Sequence, residues 1–380
     1  MKNMEEKGAD LGWLDWSGSA WQVESTFHQL SPYIGKTKSS MAAALVQRFS
    51  REGDVLYDPF SGCGTVALEA WKAGRRVIAN DLSPYAHVLT RAKLFPYKKV
   101  EEALADLSAV GVRTLKTRSS YDLRTVPQWI RAFFHPETLR DLLAWTEVLA
   151  KKEHWFLLAC LLGILHHQRP GFLSYPSSHT VPYLRTKKFP PSRYPKLYEY
   201  RSLQDRLEAK VRRAFRRVPD LDHRLLRECL RENAATVTIK RCVDAIVTSP
   251  PYMRQLDYGR DNRLRLWFLG WHDWHALDET ISPRQENFLS LMRTCFARWK
   301  SVLKSGGHCV LIVGDNCSRE ERKNLPRDIT NIAVEEVGGY SVVSEFTDLI
   351  PNDRRVRRGL TGNTSETILV LRTTKHRRKP

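Results

Sequence analysis

Short apolar runs alternate with glycine turns and helical patterns near both ends of the chain. Val55–Tyr57 and Arg76–Asp81 predict buried strands, and between them Val66–Ala73 predicts a helix that stops before Gly74. A strand, a helix and a strand in this order form a right-handed unit of a parallel sheet. Later apolar runs predict five more strands, at Thr236–Ile239, Ala245–Thr248, His308–Val313, Ser341–Ser344 and Thr367–Leu371. The pattern therefore predicts an α/β fold with a doubly wound, mostly parallel sheet.

The pattern changes between residues 98 and 228. Helical periodicity dominates there, around a stretch rich in proline, tyrosine and lysine from Pro170 to Tyr200. This segment is too long for a simple crossover between two strands of one sheet. We predict a sheet domain in two parts (1–97 and 229–374), an inserted, mainly helical lobe (98–228) and a basic tail (375–380). The predicted lobe helices are Val100–Leu115, Pro136–Ala150, Glu153–His167 and Leu203–Arg217.

The charge of the chain is strongly positive and unevenly distributed. The 61 Lys and Arg residues outnumber the 42 Asp and Glu residues, for a net charge of +19. Between Arg185 and Arg217, twelve basic residues stand against three acids, which gives +9 within 33 residues. A surplus of this size favours a polyanionic partner such as nucleic acid, and a generically basic surface is the alternative. The candidate phosphate contacts are Arg185, Lys187, Lys188, Arg193, Arg212, Arg213, Arg216 and Arg217.

The apolar runs and the cysteines indicate the cellular compartment. The longest apolar run, Trp155–Leu165, is too short to span a bilayer, and the charged N-terminus does not resemble a secretory signal. The seven cysteines form no C-x-x-C pair and show no zinc spacing. These features predict a reduced, cytoplasmic protein that uses neither a membrane anchor nor a metal.

A glycine loop, Asp58-Pro-Phe-Ser-Gly-Cys-Gly-Thr65, follows the first predicted strand. Gly62 and Gly64 let the backbone approach a ligand, and the N-terminus of the following helix favours a carboxylate such as that of S-adenosylmethionine. Asp81, at the end of the second strand, is placed to accept both ribose hydroxyls of a nucleoside cofactor. A plain tight turn or a nicotinamide site is the alternative, but the spacing is not G-x-G-x-x-G. The candidate cofactor contacts are Asp58, Pro59, Phe60, Gly62, Gly64, Thr65, Asp81 and Leu82.

A second short string, Ser249-Pro-Pro-Tyr252, ends a later strand at the same predicted sheet edge. Ser249 Oγ and a carbonyl of Pro250 fixed by the two prolines could accept the hydrogens of an amino group, with Tyr252 as a stacking surface. Two such acceptors would expose the nitrogen lone pair of an aromatic amine to a methyl donor. A Pro-Pro turn that merely closes a strand is the alternative. The candidate catalytic residues are Ser249, Pro250, Pro251 and Tyr252.

Both strings resemble motifs of one enzyme family. Asp58–Thr65 resembles the D-P-F-x-G-x-G-T loop, and Thr248–Tyr252 resembles the T-S-P-P-Y motif, of S-adenosylmethionine-dependent amino-methyltransferases of DNA. The resemblance implies a Rossmann-like class I methyltransferase fold with S-adenosylmethionine as cofactor. It also implies that Tyr33–Met41, with Lys36, covers the methionine carboxylate, and that Asn233 contacts the adenine ring. About 200 residues fall under this resemblance, and the inserted lobe does not.

The form of the second motif bears on the substrate. A serine-led motif is more typical of enzymes that make N4-methylcytosine than of those that make N6-methyladenine. The chain also lacks the Pro-Cys dipeptide typical of methylation at carbon 5 of cytosine. The resemblance therefore implies transfer to N4 of a cytosine flipped out of double-stranded DNA. Leu256–Asn262 is placed to close over that base, and the lobe is the expected target-recognition region.

Other functions stay open at this stage. N6-adenine methylation of DNA uses the same chemistry, and enzymes of this fold also methylate RNA bases or protein amides. A nucleic-acid-binding subunit without activity is the non-enzymatic alternative. Intact Gly62, Gly64, Asp81, Ser249 and Tyr252 argue against that last reading. A companion restriction endonuclease is an expected possible partner, and the sequence leaves the oligomeric state open.

Overall fold

A single seven-stranded sheet organises the chain. A computed structural model of the protein describes residues 23–179, 181–251, 257–281, 285–314, 325–349 and 365–374. The strands are β1 Val55–Asp58, β2 Arg76–Asn80, β3 Arg227–Leu230, β4 Val243–Thr248, β5 Leu303–Gly314, β6 Tyr340–Leu349 and β7 Ser365–Thr373. Their order is β3-β2-β1-β4-β5-β7-β6, and β7 is antiparallel to both of its neighbours, whereas the other pairs are parallel. The predicted α/β class with a mostly parallel, doubly wound sheet is therefore confirmed.

The sheet has helices on both faces. They are α1 Ser39–Phe49, α2 Thr65–Lys72, α3 Pro84–Leu94, α4 Val100–Thr117, α5 Gln128–Arg131, α6 Pro136–Lys151, α7 Trp155–Gly163, α8 Leu203–Ala214, α9 Tyr258–Phe268, α10 Trp274–Ile281, α11 Gln285–Val302 and α12 Leu325–Asn331. Successive strand residues point to opposite faces, so Leu56 packs with α1, α2 and α3, whereas Tyr57 packs with α11 and α12. Short 3₁₀ turns occur at Thr26–Gln29, Arg118–Ser120, Leu123–Thr125 and Pro195–Tyr198, and a π turn at Ile332–Glu336.

The segment between β2 and β3 continues one of these faces. Helix α7 is buried on every side except at its first residue, as expected for its apolar sequence, and it packs on α3. Leu107, Leu142, Leu158 and Leu207, from four different helices of this segment, share one apolar core with Leu89 of α3. The helices lie where the sequence predicts them, although α7 and α8 end earlier than expected. Among the described residues, every helix is too short or too polar to span a membrane.

The strand that follows the helical segment differs from the prediction. Thr236–Ile239 is not a strand, because the backbone N–H groups of Thr236 and Val237 both donate to the carbonyl of Asn233 at 2.9 Å and form a turn. The strand that follows the helical segment is instead β3, which pairs with Val77–Asn80 of β2 at the edge of the sheet. Its sequence, Arg-Glu-Cys-Leu, is half exposed and lacks the apolar run on which the prediction relied. The predicted lobe boundary at residue 228 falls inside this strand. The basic tail, 375–380, lies outside the described residues.

Candidate active site

A cleft opens where β1, β2, β3 and β4 end. It encloses about 900 Å³, including its open mouth, and it lies where open α/β sheets bind ligands. Among the predicted site residues, its lining includes Lys36, Asp58, Pro59, Phe60, Gly62, Thr65, Asp81, Leu82, Asn233, Ser249 and Pro251. Gly64, the N-cap of α2, is not among the lining residues, Pro250 is buried beside Ser249, and Tyr252 lies outside the described residues. The two predicted motifs therefore share one cavity.

The glycine loop has a backbone conformation that side chains would disturb. Gly62 and Gly64 both have positive φ, at 51° and 73°. A Cβ on Gly64 would lie 2.8 Å from Thr90 Oγ1 and 2.9 Å from Thr90 Cα. Thr90 Oγ1 also donates to the carbonyl of Gly62 at 3.1 Å, which fixes the loop on α3. Because Gly64 caps α2, the loop delivers the free N–H groups of that helix toward the cleft.

Asp81 is oriented by the backbone around it. Its carboxylate accepts hydrogen bonds from Gly62 N at 2.8 Å and Ser83 N at 2.9 Å, one on each oxygen. Each oxygen keeps a second lone pair, so the carboxylate can still accept from a pair of hydroxyls. Burial raises the pKa of Asp81 to about 6, and these backbone N–H groups oppose that rise. The arrangement suits the ribose contact predicted for this residue.

Asn80 is a buried residue that the sequence reasoning missed. Its Nδ2 donates to the carbonyls of Pro59 at 3.3 Å and Glu232 at 3.0 Å, and its Oδ1 accepts from Glu232 N at 3.0 Å. It therefore ties the glycine loop to the turn after β3. In that turn Asn233 Oδ1 accepts from Ala235 N at 2.9 Å, which leaves Nδ2 as the remaining polar group of its side chain. The only sequence signal was an amide beside Asp81 at a strand end.

The hydroxyl of Ser249 is already engaged as a hydrogen-bond donor. Its Oγ donates to the carbonyl of Ile312 on β5 at 3.2 Å. A hydroxyl has a single hydrogen, so the group that Ser249 offers to a ligand in the cleft is a lone pair. Ser249 is therefore arranged as an acceptor toward the cleft.

Thr248 connects the glycine loop to the residues that follow β4. Its Oγ1 donates to Asp58 Oδ1 at 2.7 Å and accepts from Phe60 N at 3.2 Å. Asp58 is 1% exposed, and burial raises its pKa to about 7, with the hydrogen bond from Thr248 opposing the rise and the charge of Asp81 adding to it. The sequence reasoning assigned no role to this hydroxyl.

Tyrosines cover one side of the cleft. Tyr33, from the segment predicted to cover a carboxylate, lies against Gly62, with a ring carbon 3.3 Å from where a Cβ would stand. Its ring centroid is 6.1 Å from that of Tyr258, the first residue of α9. Burial raises the pKa of Tyr33, so its phenol stays neutral. Tyr258 falls in the predicted closing segment, of which Leu256 lies outside the described residues. Gly259 N and Arg260 N donate to Asp278 of α10, which joins the two helices beside the cleft.

The predicted phosphate contacts form two groups away from the cleft lining. Lys187, Lys188 and Arg193 are exposed in the stretch before α8, where Arg185 is partly buried and donates to Gln168 Oε1. The second group lies in and after the last turn of α8 and is exposed: Arg212, Arg213, Arg216 and Arg217. Here Arg212 pairs with Glu208 at 2.8 Å, and Arg217 Nε donates to the carbonyl of Glu24 at 3.0 Å.

Two other basic residues of the same stretch have structural roles. Arg201 is buried and donates to the carbonyls of Phe172 at 2.7 Å and Leu197 at 2.8 Å. Lys210 Nζ donates to the carbonyl of Gln29 at 2.6 Å, and burial lowers its pKa to about 8. Part of the local charge surplus therefore stabilises the fold. In the described part of the chain, no group of three His, Cys, Asp or Glu residues is arranged to hold a metal.

The chain is similar to DNA methyltransferases over part of its length. The profile of the D12 class N6 adenine-specific DNA methyltransferases matches residues 33–127, which include Tyr33, the glycine loop and Asp81. Type II methyltransferase M.BsoBI of Geobacillus stearothermophilus is 23% identical over 286 residues, covering 64% of this chain and 53% of that protein. Type II methyltransferase M.MjaII of Methanocaldococcus jannaschii is 30% identical over 82 residues, covering 21% and 16%. The chain thus spans about half the length of these relatives or less.

Among solved structures, TrmN from Thermus thermophilus aligns with 91% of this chain and 52% of its own, at 14% identity and a TM-score of 0.38. The similarity to DNA methyltransferases therefore rests on the sequence matches, chiefly that of residues 33–127.

Proposed function

We propose that the protein transfers a methyl group from S-adenosylmethionine to N4 of a cytosine in DNA. The observation that carries this proposal is that Ser249 donates its hydroxyl hydrogen to the protein and is left as an acceptor toward the cleft. Its hydroxyl hydrogen is engaged by the carbonyl of Ile312, and its lone pairs share a cleft with the glycine loop and Asp81. An acceptor beside a nucleoside site is what an exocyclic amino group needs in order to be held for methylation.

The cleft residues fit the cofactor. Gly62 leaves room for a ligand to approach the backbone, and the N-terminus of α2 favours the methionine carboxylate, with Lys36 nearby as a cation. Asp81 is oriented to accept the ribose hydroxyls, and Asn233 lines the end where the adenine ring would lie. When bound, the cofactor supplies an electrophilic methyl group on a sulfonium.

The protein's own contribution is placement and electrostatics. Ser249 Oγ would accept one hydrogen of the amino group, and the carbonyl of Pro250 would accept the other. Holding both hydrogens draws the nitrogen lone pair out of conjugation with the ring and directs it along the methyl-transfer line. With the cofactor bound, the N–C bond would form as the S–C bond breaks, which would leave S-adenosylhomocysteine, and the proton lost by the nitrogen would pass to solvent. Tyr252 is the proposed stacking surface for the flipped base.

Adenine N6 is the second candidate acceptor, because the matching family profile describes adenine-specific enzymes. That match ends at residue 127, before the residues that would hold the base, so it concerns the cofactor half of the site. The base would be selected at Ser249–Tyr252, where a serine-led motif favours cytosine. We therefore keep cytosine as the proposed acceptor.

The direct test is to identify the methylated base. The protein is incubated with S-adenosylmethionine labelled in its methyl group and duplex DNA of mixed sequence, and the DNA is then digested to nucleosides. Label in N4-methylcytosine is the expected result. Label in N6-methyladenine would retain the chemistry and replace the base, whereas label in RNA or protein offered in parallel, with none in DNA, would contradict the proposal.

The exposed cations Lys187, Lys188 and Arg193 are proposed as phosphate contacts. Reversing all three to glutamate should weaken DNA binding by at least tenfold and lower the slope of log affinity against log salt by roughly two to three, since each lost contact removes about 0.9 from the slope. Fluorescence anisotropy over a range of salt concentrations measures both effects.

The matched control also reverses three exposed cations of the same segment, Arg113 and Lys116 on α4 and Lys151 on α6. These residues change the net charge in the same direction without being proposed contacts. An equal loss of slope in the control would mean that net charge, not this stretch, controls binding.

A further inference from the structure

The hydroxyl of Thr248 links the two halves of the cleft. Thr248 is 0% exposed and is the last residue of β4, directly before Ser249. Its Oγ1 donates to Asp58 Oδ1 at 2.7 Å and accepts from Phe60 N at 3.2 Å, and both of these residues line the cleft. One side chain therefore contacts the glycine loop, while its own backbone leads into the two proposed acceptors of the amino group, Ser249 Oγ and the carbonyl of Pro250, which together are the proposed clamp.

Backbone pairing does not make this connection. The register between β1 and β4 is Leu56 with Ala245 and Tyr57 with Ile246, and it stops there. On the other side, β4 pairs with β5 as far as Thr248 with Leu311, and Ser249 Oγ continues that contact to Ile312. The clamp is thus fixed to β5 by backbone and side chain, whereas its link to the glycine loop at the strand ends passes through the Thr248 hydroxyl.

A buried hydroxyl at this position needs an explanation. Valine has nearly the same shape and suits a buried strand equally well, and a buried hydroxyl is unfavourable unless it is hydrogen-bonded. Here the hydroxyl is satisfied as donor and acceptor by two groups of one loop. We propose that Thr248 is a positioning residue that sets the distance between the methyl donor and the acceptor nitrogen, and that links this distance to the charge on Asp58. This inference rests on the proposed function of the same cleft.

The hydrogen bond from Thr248 changes the pKa of Asp58 in one direction. The hydrogen bond from Thr248 lowers the pKa of Asp58 against the rise caused by burial. Without this hydrogen bond the pKa of Asp58 rises further, so the carboxyl group stays neutral up to a higher pH. S-adenosylmethionine and S-adenosylhomocysteine both carry an ammonium group, which binds better to the ionised carboxylate. The pH below which either molecule binds weakly should therefore rise when the hydrogen bond is removed. The other titratable groups that line this cleft are Lys36, Asp81, Glu232, Tyr33, Cys63 and Tyr258.

The experiment compares Thr248→Val with Thr248→Ser. Valine removes the hydroxyl and keeps the shape, whereas serine keeps the hydroxyl. Thr248→Val should lower the single-turnover rate of methyl transfer on the order of 100-fold, since small misplacements of reacting groups have effects of this size. Its affinity for S-adenosylhomocysteine at high pH should change less than about threefold. The pH at which this affinity falls to half of its high-pH value, called the pH midpoint, should rise by roughly one pH unit. Thr248→Ser should restore both properties nearly to the wild type.

Thr138→Val is the matched control. Thr138 is also 0% exposed, and its Oγ1 likewise donates to and accepts from one loop residue, Arg201, at 3.1 Å, but it does not line the cleft. Thr138→Val should lose about as much thermal stability as Thr248→Val, with little change in the rate of methyl transfer or in the pH midpoint of binding. If Thr248→Val fails to fold, Thr248→Ala removes the hydroxyl without adding a methyl group.

The outcomes separate this inference from the proposed function. Calorimetric binding of S-adenosylhomocysteine against pH needs no DNA, so it tests the link to Asp58 even if no DNA base is methylated. An unchanged pH midpoint in Thr248→Val, or a wild-type rate on whichever base the wild-type protein methylates, would overturn the inference. Equal defects in Thr248→Ser and Thr248→Val would also overturn it, because the hydroxyl would then not be responsible.

Discussion

Replacing Ser249 by alanine should reduce methyl transfer by roughly 10²- to 10³-fold, which is the usual effect of removing one preorganised polar group from a reacting centre. The affinity for S-adenosylhomocysteine should stay within about threefold of the wild type. The reason is that Ser249 Oγ donates to Ile312 and presents its lone pairs to the cleft, so its contribution is made to the acceptor amine. Single-turnover rates and calorimetry measure the two quantities separately.

Thr280→Val is the control for the Ser249 prediction. Thr280 also lines the cleft, but its hydroxyl donates to the carbonyl of Ala276 within α10 and does not belong to the proposed clamp. It should retain the wild-type rate within a few-fold. Wild-type turnover by Ser249→Ala would exclude the serine from the clamp, and an equal loss in both variants would indicate a general sensitivity of the cleft to its hydroxyl groups.

The sequence predicted the residues that follow the central strands. Asp58, Asp81 and Ser249 come directly after short buried runs, and parallel strands bring their carboxyl ends to one edge. That rule requires only local patterns and the direction of the strands. It is therefore enough to bring the two motifs to the same cleft without knowledge of any side-chain contact.

The residues that join these motifs were not predictable in the same way. Asn80 bonds to Glu232, and Thr248 bonds to Asp58, across more than 150 positions of the chain in each case. A polar residue in a strand gives no indication of its distant partner, so such links emerge only from the packed structure. Strand β3 was missed for a related reason. As an edge strand it is stabilised by pairing with β2, while its own residues are half exposed.

The charge pattern was only partly informative. The surplus between Arg185 and Arg217 predicts a polyanionic partner, but Arg201 and Lys210 of this stretch donate to backbone carbonyls. Net charge counts such residues equally with exposed ones. Which cations face a polyanion depends on burial, and burial depends on tertiary packing.

The glycine loop supports a prediction of comparable size. Gly64→Ala should destabilise the protein by about 3 kcal/mol or more and weaken binding of S-adenosylhomocysteine at least 100-fold. Two effects combine: a φ of 73° is unfavourable for a residue with a side chain, and the added Cβ would lie 2.9 Å from Thr90 Cα. This close contact can be relieved only if the loop or α3 moves. Because the loop shapes the cleft, such a movement should also weaken cofactor binding. Denaturant unfolding and calorimetry measure the two losses.

Gly53→Ala separates the two effects. Gly53 has a φ of 81° with no atom within 4 Å of an added Cβ, so its replacement should cost only the backbone term of about 1 kcal/mol and leave cofactor affinity unchanged. Adding Thr90→Ala to Gly64→Ala removes the 2.8 Å contact with Oγ1 but not the contact with Cα, so it should restore stability in part. If the two glycine variants lost equal stability, the close approach of α3 would not be what requires glycine at position 64. The requirement for glycine at position 64 would then come from its positive φ alone.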